Sequence, residues 1–301
     1  MKTLIVLLGP TAVGKTELSL QIAEHFGSPV INADSRQIYR DIPVCTAAPT
    51  PEEQARVKHY FVGTKGLDES FSAAQYELDA LQVMEEEFRH RDVLVMSGGS
   101  MLYIDAVVKG IDDMPNVDPE ARASVRRLYE AEGLDSVLAH LRLLDPDYYS
   151  RVDRRNTQRV LHGLEMCLTA GKPFSSFHTG VRKERPFRIV QVGLRRERPE
   201  LYERIDRRVR WMLEHGLADE ARRVLPFRHL NSLNTVGMKE MFLYLDGTYT
   251  LDQAGERICH NTHIYSKKQM TWFQRDSSVT WFHPDRMDSV VEFLDKEVDA
   301  L

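Results

Sequence analysis

The sequence predicts an α/β protein, a doubly wound parallel sheet that carries a helical insertion. Two observations set the core. Short β-branched runs lead through glycine or a turn into helices within the first hundred residues, and a β pattern returns at Arg188 to Leu194. A third observation sets the insertion, because strand signals vanish between Asp113 and that return.

Thr3 to Leu8 reads as a buried parallel strand. Lys15 to Phe26 follows as a helix, with Leu18, Leu20, Ile22, Ala23 and Phe26 near helical spacing and Gly27 and Pro29 as its stop. Val30 to Asn32 is a second strand, and Phe71 to Arg89 a helix with Ala74, Leu78, Leu81 and Phe88 among its apolar positions. Val93 to Met96 is a third strand, broken by Ser97-Gly98-Gly99, after which Met101 to Val108 resumes a helix. Pro115, Asp118 and Pro119 mark a linker. Beyond it Ala121, Val125, Leu128 and Ala131 keep one helical face; Val160, Leu161, Leu164 and Cys167 keep another, ended by Gly171-Lys172-Pro173. After Leu194 helices dominate. The organisation predicted is a core of residues 1–112 and 186–301 with a helical insertion domain at 113–185, and no internal repeat.

At 301 residues the chain has room for about two domains. With 42% hydrophobic and 28% charged residues it is neither a disordered chain, a collagen-like fibre nor a disulfide-built miniprotein. No run approaches the roughly 18 apolar residues of a membrane span. The apolar run Leu4 to Leu8 leads into Gly9 to Thr16 rather than a small-residue cleavage site, so a cytoplasmic protein is expected. Cys45, Cys167 and Cys259 are widely spaced and read as reduced thiols. Cys259-His260-x-x-His263 lacks further ligands at metal-site spacing, which leaves solvent- or RNA-facing histidines. Net charge is −5, yet residues 182–210 hold eleven Lys/Arg against five Asp/Glu, and residues 257–275 hold four basic residues and no acidic one. Such local positive surface is compatible with nucleic acid or phosphate, or with merely solvated helix faces.

Gly9-Pro10-Thr11-Ala12-Val13-Gly14-Lys15-Thr16 fits G-x-x-x-x-G-K-[ST] after a strand and at the opening of a helix, which gives the core a P-loop NTPase-like character. In such a nucleotide-binding loop, of the ATP-binding type, glycines let backbone N–H groups converge on phosphate oxygens and the helix N-terminus adds positive potential. Lys15 supplies a cation, and Thr16 a hydroxyl for Mg²⁺ bridging two phosphates. A triphosphatase also needs an acidic residue at a strand end, but Val93 to Met96 ends in Ser97-Gly98-Gly99 and no N-K-x-D motif is present. The carboxylate at a plausible strand end is Asp34, within Asp34-Ser35-Arg36-Gln37-Ile38-Tyr39. A diphosphate site with incomplete hydrolysis equipment points to group transfer.

These segments together resemble the tRNA dimethylallyltransferase family, also called tRNA isopentenylpyrophosphate transferases. The resemblance continues through Cys45-Thr46-Ala47-Ala48-Pro49, Gly98-Gly99-Ser100-Met101-Leu102-Tyr103, Gln158-Arg159, Arg204-Ile205 with Arg208, Val236-Gly237 with Lys239-Glu240, and Lys267 to Trp272. Motif order is kept over nearly the whole chain. Cys45 stands where the family has glycine, Ala48 where it has lysine, Ser100 for threonine and His263 for arginine. A C-terminal zinc finger is absent, so the chain looks like the bacterial form.

The resemblance implies transfer of a dimethylallyl group from dimethylallyl diphosphate to the exocyclic N6 amine of the adenosine just 3′ of the anticodon in tRNA. It implies Asp34 as general base for a weakly nucleophilic amine, with Lys15 and Arg208 stabilising the leaving diphosphate beside the loop 9–16. It implies tRNA contacts from Asp34, Ser35, Arg36, Gln37, Ser100, Arg122, Gln158, Arg159, Val160, Leu161, His162, Asn234, Thr235, Val236, Gly237, Met238 and Lys239, with the insertion binding the anticodon stem-loop. The acceptor base is single-stranded there and cheap to extrude. Mg²⁺ at Thr16 is the expected cofactor. No membrane and no stable protein partner is inferred, and a monomer would suffice. A phosphate-loop kinase, an adenylate isopentenyltransferase and a non-catalytic RNA-binding protein remain as alternatives.

Overall fold

A computed structural model describes residues 1–299 and divides them into two units, Met1–Lys109 with Glu184 onward, and Gly110–Lys183. The first half of the larger unit runs β1 (Thr3–Leu8), α1 (Lys15–Phe26), β2 (Val30–Ala33), α2 (Pro43–Thr46), α3 (Pro51–Arg56), β3 (His59–Tyr60), α4 (Ala73–Glu87), β4 (Val93–Gly98) and α5 (Met101–Lys109). The smaller unit holds α6 (Pro119–Glu132), α7 (Leu134–Leu144), α8 (Pro146–Arg151) and α9 (Thr157–Ala170). The larger unit resumes with β5 (Arg188–Leu194), α10 (Arg198–Glu214), α11 (Leu217–Val224), α12 (Met238–Leu245), α13 (Leu251–Phe273), β6 (Val279–Phe282) and α14 (Met287–Asp299).

Six strands form one parallel sheet in the order β3-β2-β4-β1-β5-β6. The central strand β1 has both faces covered. Ile5 and Leu7 pack with α1, α10 and α14, while Leu4, Val6 and Leu8 pack with α4 and α5. That double burial is why β1 is a continuous apolar run rather than an alternating one. Register then fixes the site. Leu8 of β1 lies opposite Gly98 of β4 and Gly193 of β5, and Ala33 of β2 is also opposite Gly98. The loops after β1, β2, β4 and β5 therefore leave the sheet at one carboxyl edge, where ligands bind in folds of this type.

β4 does not break at Ser97. Pairing with β1 carries it through Gly98, beyond the apolar run that marks it in sequence. In α4 the buried apolar positions are Tyr76, Ala80 and Met84, and the apolar Leu78 is 64% exposed. The helix starts after Ser72, whose hydroxyl caps the Gln75 amide at 3.1 Å. Two strands lie outside the sequence expectation, β3 and β6; both are edge strands of two and four residues, too short for a period-2 signal.

The smaller unit has its own core of Val125, Val137, Leu141, Val160, Leu164, Met166, Cys167 and Phe174. Asp118 and Asn156 cap α6 and α9, and Gly171 in the left-handed region ends α9. The buried Asp145 ties this core together, with Oδ1 accepting from the Tyr148 amide and the Ser175 hydroxyl and Oδ2 from the Ser175 amide.

Candidate active site

The phosphate loop bridges β1 and α1. Gly14 caps the helix at φ +112°, a conformation open to glycine and strained for other residues. Four of the loop's carbonyls are held by cations. Lys15 Nζ donates to Gly9 O at 3.0 Å and Pro10 O at 2.8 Å, Arg204 Nε to Ala12 O at 2.9 Å, and Arg196 Nε to Val13 O at 2.9 Å. The Thr11 amide is held by Gln269 Oε1 and the Val13 amide by Pro10 O, so with these carbonyls engaged the amides at the α1 N-terminus are the anion-facing groups. Arg196 is itself anchored by Glu200 and Asp285.

A cleft of about 880 Å³ opens beside this loop. Its walls bring together Lys15, Thr16, Asp34 to Gln37, the 43–51 segment, Ser97 to Ser100, Arg204 and Arg208 of α10, Asn234 to Gly237 with Lys239, and Tyr265 and Gln269 of α13. Burial pulls the Lys15 ammonium down to about 8; the nearby Arg208 charge adds to this and Asp34 opposes it. Burial likewise lowers Arg208, again against Asp34. The two cations and the carboxylate thus share one field.

Asp34 follows β2. Its Oδ1 accepts from the Arg36 amide at 2.9 Å and the Gln37 amide at 3.4 Å, an Asx turn that leaves Oδ2 without a protein partner among the described residues. Ser35 donates its amide to Ser100 Oγ at 2.8 Å. The Arg36 guanidinium is committed to the Asn231 and Ser232 carbonyls, both at 3.0 Å, and Gln37 Nε2 to those of Thr46 and Ala47. Burial pushes the Tyr265 hydroxyl up to about 12, with Asp34 adding to it. Cys45 is a buried cleft thiol, also pushed up to about 12 by burial and by Glu220, so it stays protonated.

Met238 is fully buried and Glu240 caps the Gly237 amide at 2.8 Å, so this loop offers Asn234, Thr235, Val236, Gly237 and Lys239 to the cleft. In the smaller unit Arg122, Gln158, Arg159 and His162 are exposed, Leu161 is half-buried, and Val160 packs inside that unit's core. Glu165 lies 3.7 Å from both Arg122 and His162. His263 departs from the expectation of a solvent- or RNA-facing histidine: it stacks on Tyr202 with centroids 3.9 Å apart and lies 2.9 Å from Asp206. Much of the basic stretch 182–210 is likewise committed to ion pairs, through Lys183, Arg185, Arg188, Arg196 and Arg207.

Sequence reasoning missed three roles. Arg204 lies one helical turn before Arg208, which the sequence had already named, and that spacing was a legible signal for a shared face. Arg196 had none, because it acts on a loop more than 180 residues away, and Gln269 had only its place in the Lys267 to Trp272 motif, which gave it no role.

Comparison with known proteins decides the family. The IPP transferase family matches residues 37–276. The chain belongs to the IPP transferase family. It is accordingly an enzyme, a prenyltransferase. A relative from Phocaeicola vulgatus, tRNA dimethylallyltransferase 1, is 58% identical over 97% of both chains. Another from Porphyromonas gingivalis, tRNA dimethylallyltransferase 2, is 60% identical over 94% of each. Among solved structures, the full-length tRNA isopentenylpyrophosphate transferase of Bacillus halodurans matches with a TM-score of 0.72 and 32% identity, covering 100% of this chain and 98% of that one. A eukaryotic dimethylallyltransferase acting on tRNA matches with a TM-score of 0.75 and 25% identity over 90% of this chain and 70% of that one. The six-stranded parallel sheet is P-loop-like, as in these structural neighbours. No described helix is long and apolar enough to cross a membrane.

Proposed function

We propose that this protein transfers the dimethylallyl group of dimethylallyl diphosphate to N6 of the adenosine 3′-adjacent to the anticodon in tRNA, releasing diphosphate. The observation that carries it is a single cleft holding a phosphate loop, two half-buried cations and a carboxylate with one oxygen unpartnered among the described residues. In the reaction the C1–O bond of the donor breaks as the C1–N6 bond forms. The N6 proton passes to Asp34 Oδ2, and the bond electrons leave with the diphosphate. Asp34 also orients the amine, whose lone pair is otherwise delocalised into the ring. The loop amides, Lys15 and Arg208 stabilise the charge that develops on the leaving oxygens.

Thr16 lines the cleft at the second residue of α1, and its hydroxyl has no protein partner among the described residues. That donor fits Mg²⁺, which keeps several waters and binds through one or two protein groups plus phosphates. When bound, the ion would neutralise diphosphate charge. The loop is read as a diphosphate cradle rather than an ATP site because β4 ends in Ser97-Gly98 without an acidic residue. Supporting tRNA as acceptor are the exposed polar groups Arg122, Gln158, Arg159 and His162 of the smaller unit, to which we assign anticodon stem-loop binding. Such an acceptor also puts the enzyme in the cytoplasm.

The test uses labelled dimethylallyl diphosphate with undermodified tRNA, AMP or ATP. Label in tRNA, lost when the target adenosine is replaced, supports the proposal. Label in AMP alone, or phosphoryl transfer from ATP, overturns it.

A further inference from the structure

Gln269 is 2% exposed on α13, remote in sequence from every loop it touches. Its Oε1 accepts the Thr11 amide of the phosphate loop at 2.9 Å, and its Nε2 donates to Gly99 O at 2.8 Å. The two partners fix the amide's orientation, since one can only donate and the other only accept. Approach is close: a Cβ on Gly99 would lie 2.6 Å from Gln269 Nε2. The peptide that joins Gly99 to Ser100 continues the path. Ser100 donates its N–H to Ala33 O at 3.1 Å, and Ser100 Oγ accepts the Ser35 amide at 2.8 Å. Those two bonds bracket Asp34 on both sides in the chain.

We infer that Gln269 is a positioning residue that sets the phosphate loop at a fixed separation from the Asp34 turn. A continuous hydrogen-bonded path runs from the Thr11 amide through the Gln269 side chain and the Gly99–Ser100 peptide to Ala33 and Ser35. Each bond polarises the next, because the Gly99 carbonyl accepts on one side of a peptide whose N–H donates on the other. The Thr11 N–H is thereby taken from the diphosphate, which is left to the amides nearer α1. Only an uncharged primary amide meets both ends: a glutamate offers no donor to Gly99 O, and a methionine of similar length offers neither group. The role rests on the proposed reaction, because that separation matters when a carbon at the diphosphate end must meet an amine held at Asp34.

Two readouts test it, one independent of transfer. The first follows amide resonances of the full-length protein, wild type and Gln269→Met, on titration with inorganic pyrophosphate. The Ser35 amide should shift on pyrophosphate binding in wild type, and that shift should be lost in Gln269→Met although pyrophosphate still binds. The second is single-turnover transfer at saturating donor and tRNA, which should slow by about 10–100-fold in Gln269→Met, as small misplacements of reacting groups do. In a cycle with Ser100→Ala the two losses should be clearly less than additive, as for members of one network. An equal Ser35 shift in both proteins overturns the inference. So does a Gln269→Met variant that only melts lower and binds both substrates more weakly, with an unchanged rate at saturation. Failure of wild type to modify tRNA, with the Ser35 result intact, would instead overturn the proposed reaction alone.

Discussion

The Asp34 carboxylate holds the Arg36 amide at 2.9 Å through Oδ1 and leaves Oδ2 for the cleft. In the proposed reaction one side chain thus has a turn to maintain and a proton to accept, on different oxygens. Asparagine can keep the first role through its own Oδ1; alanine keeps neither. Asp34→Ala should lose about 1 kcal/mol, the net worth of an ordinary hydrogen bond, whereas Asp34→Asn should melt close to wild type. Thermal melts of the two variants check this.

Lys15 is held down at about 8 by burial and by Arg208 against Asp34. If, as proposed, the charged form binds diphosphate, affinity for inorganic pyrophosphate should fall as pH rises through about 8, and bound pyrophosphate should move that limb upward. Lys15→Ala, measured over the same range, supplies the baseline for pyrophosphate's own titration and should lack the Lys15 limb. Stability has the opposite sign. The unfolded chain holds this proton up to the ordinary 10.5, so the group's contribution to folding rises between about 8 and 10.5. Titration calorimetry from pH 6.5 to 9.5 gives the binding half, and denaturant melts the other.

The ends of the smaller unit lie together: a Cβ on Gly110 would sit 2.6 Å from Lys183 Cγ. Replacing residues 111–182 with a short Gly/Ser linker therefore asks little of the larger unit, whose two hydrophobic clusters include no residue of that segment. Pyrophosphate binding should persist. Affinity for the anticodon stem-loop should fall on the order of 100-fold, equivalent to about 2.7 kcal/mol. A folded replacement variant with unchanged RNA affinity would contradict the role given to the insertion.

Lys267 and Lys268 are exposed on α13, in the stretch of 257–275 that has no acidic residue. Counterion release should make tRNA binding salt-dependent, with a log–log slope of roughly −0.7 per neutralised single-strand phosphate. Lys267→Ala with Lys268→Ala should shallow that slope by about 1.4 if each lysine meets one phosphate. Filter binding across a salt series reads it directly.

The parts of this protein that were legible in its sequence are those built from local pattern. The phosphate loop announces itself by spacing, β1 by its unbroken apolar run, and Asp34 by its place after a short strand. What was hidden depends on contacts far apart in the chain. Gln269 had a place in the Lys267 to Trp272 motif but no role until Thr11 and Gly99 are brought to it. The basic stretch 182–210 looked like free positive charge, but Arg185 meets Glu77 and Arg188 meets Glu297 only in the fold. Leu78 misled because an apolar residue at a surface position leaves the period of α4 ambiguous, and the buried face is set by Tyr76, Ala80 and Met84.

The most direct test of the central claim is single-turnover transfer by Asp34→Asn at saturating donor and tRNA. Asparagine keeps the shape and the turn bond but cannot take the N6 proton as a carboxylate does. Transfer should slow by roughly 10²–10⁴, the usual worth of a general base, with pyrophosphate affinity and melting temperature near wild type. A well-folded Asp34→Asn variant that transfers at the wild-type rate would contradict the account.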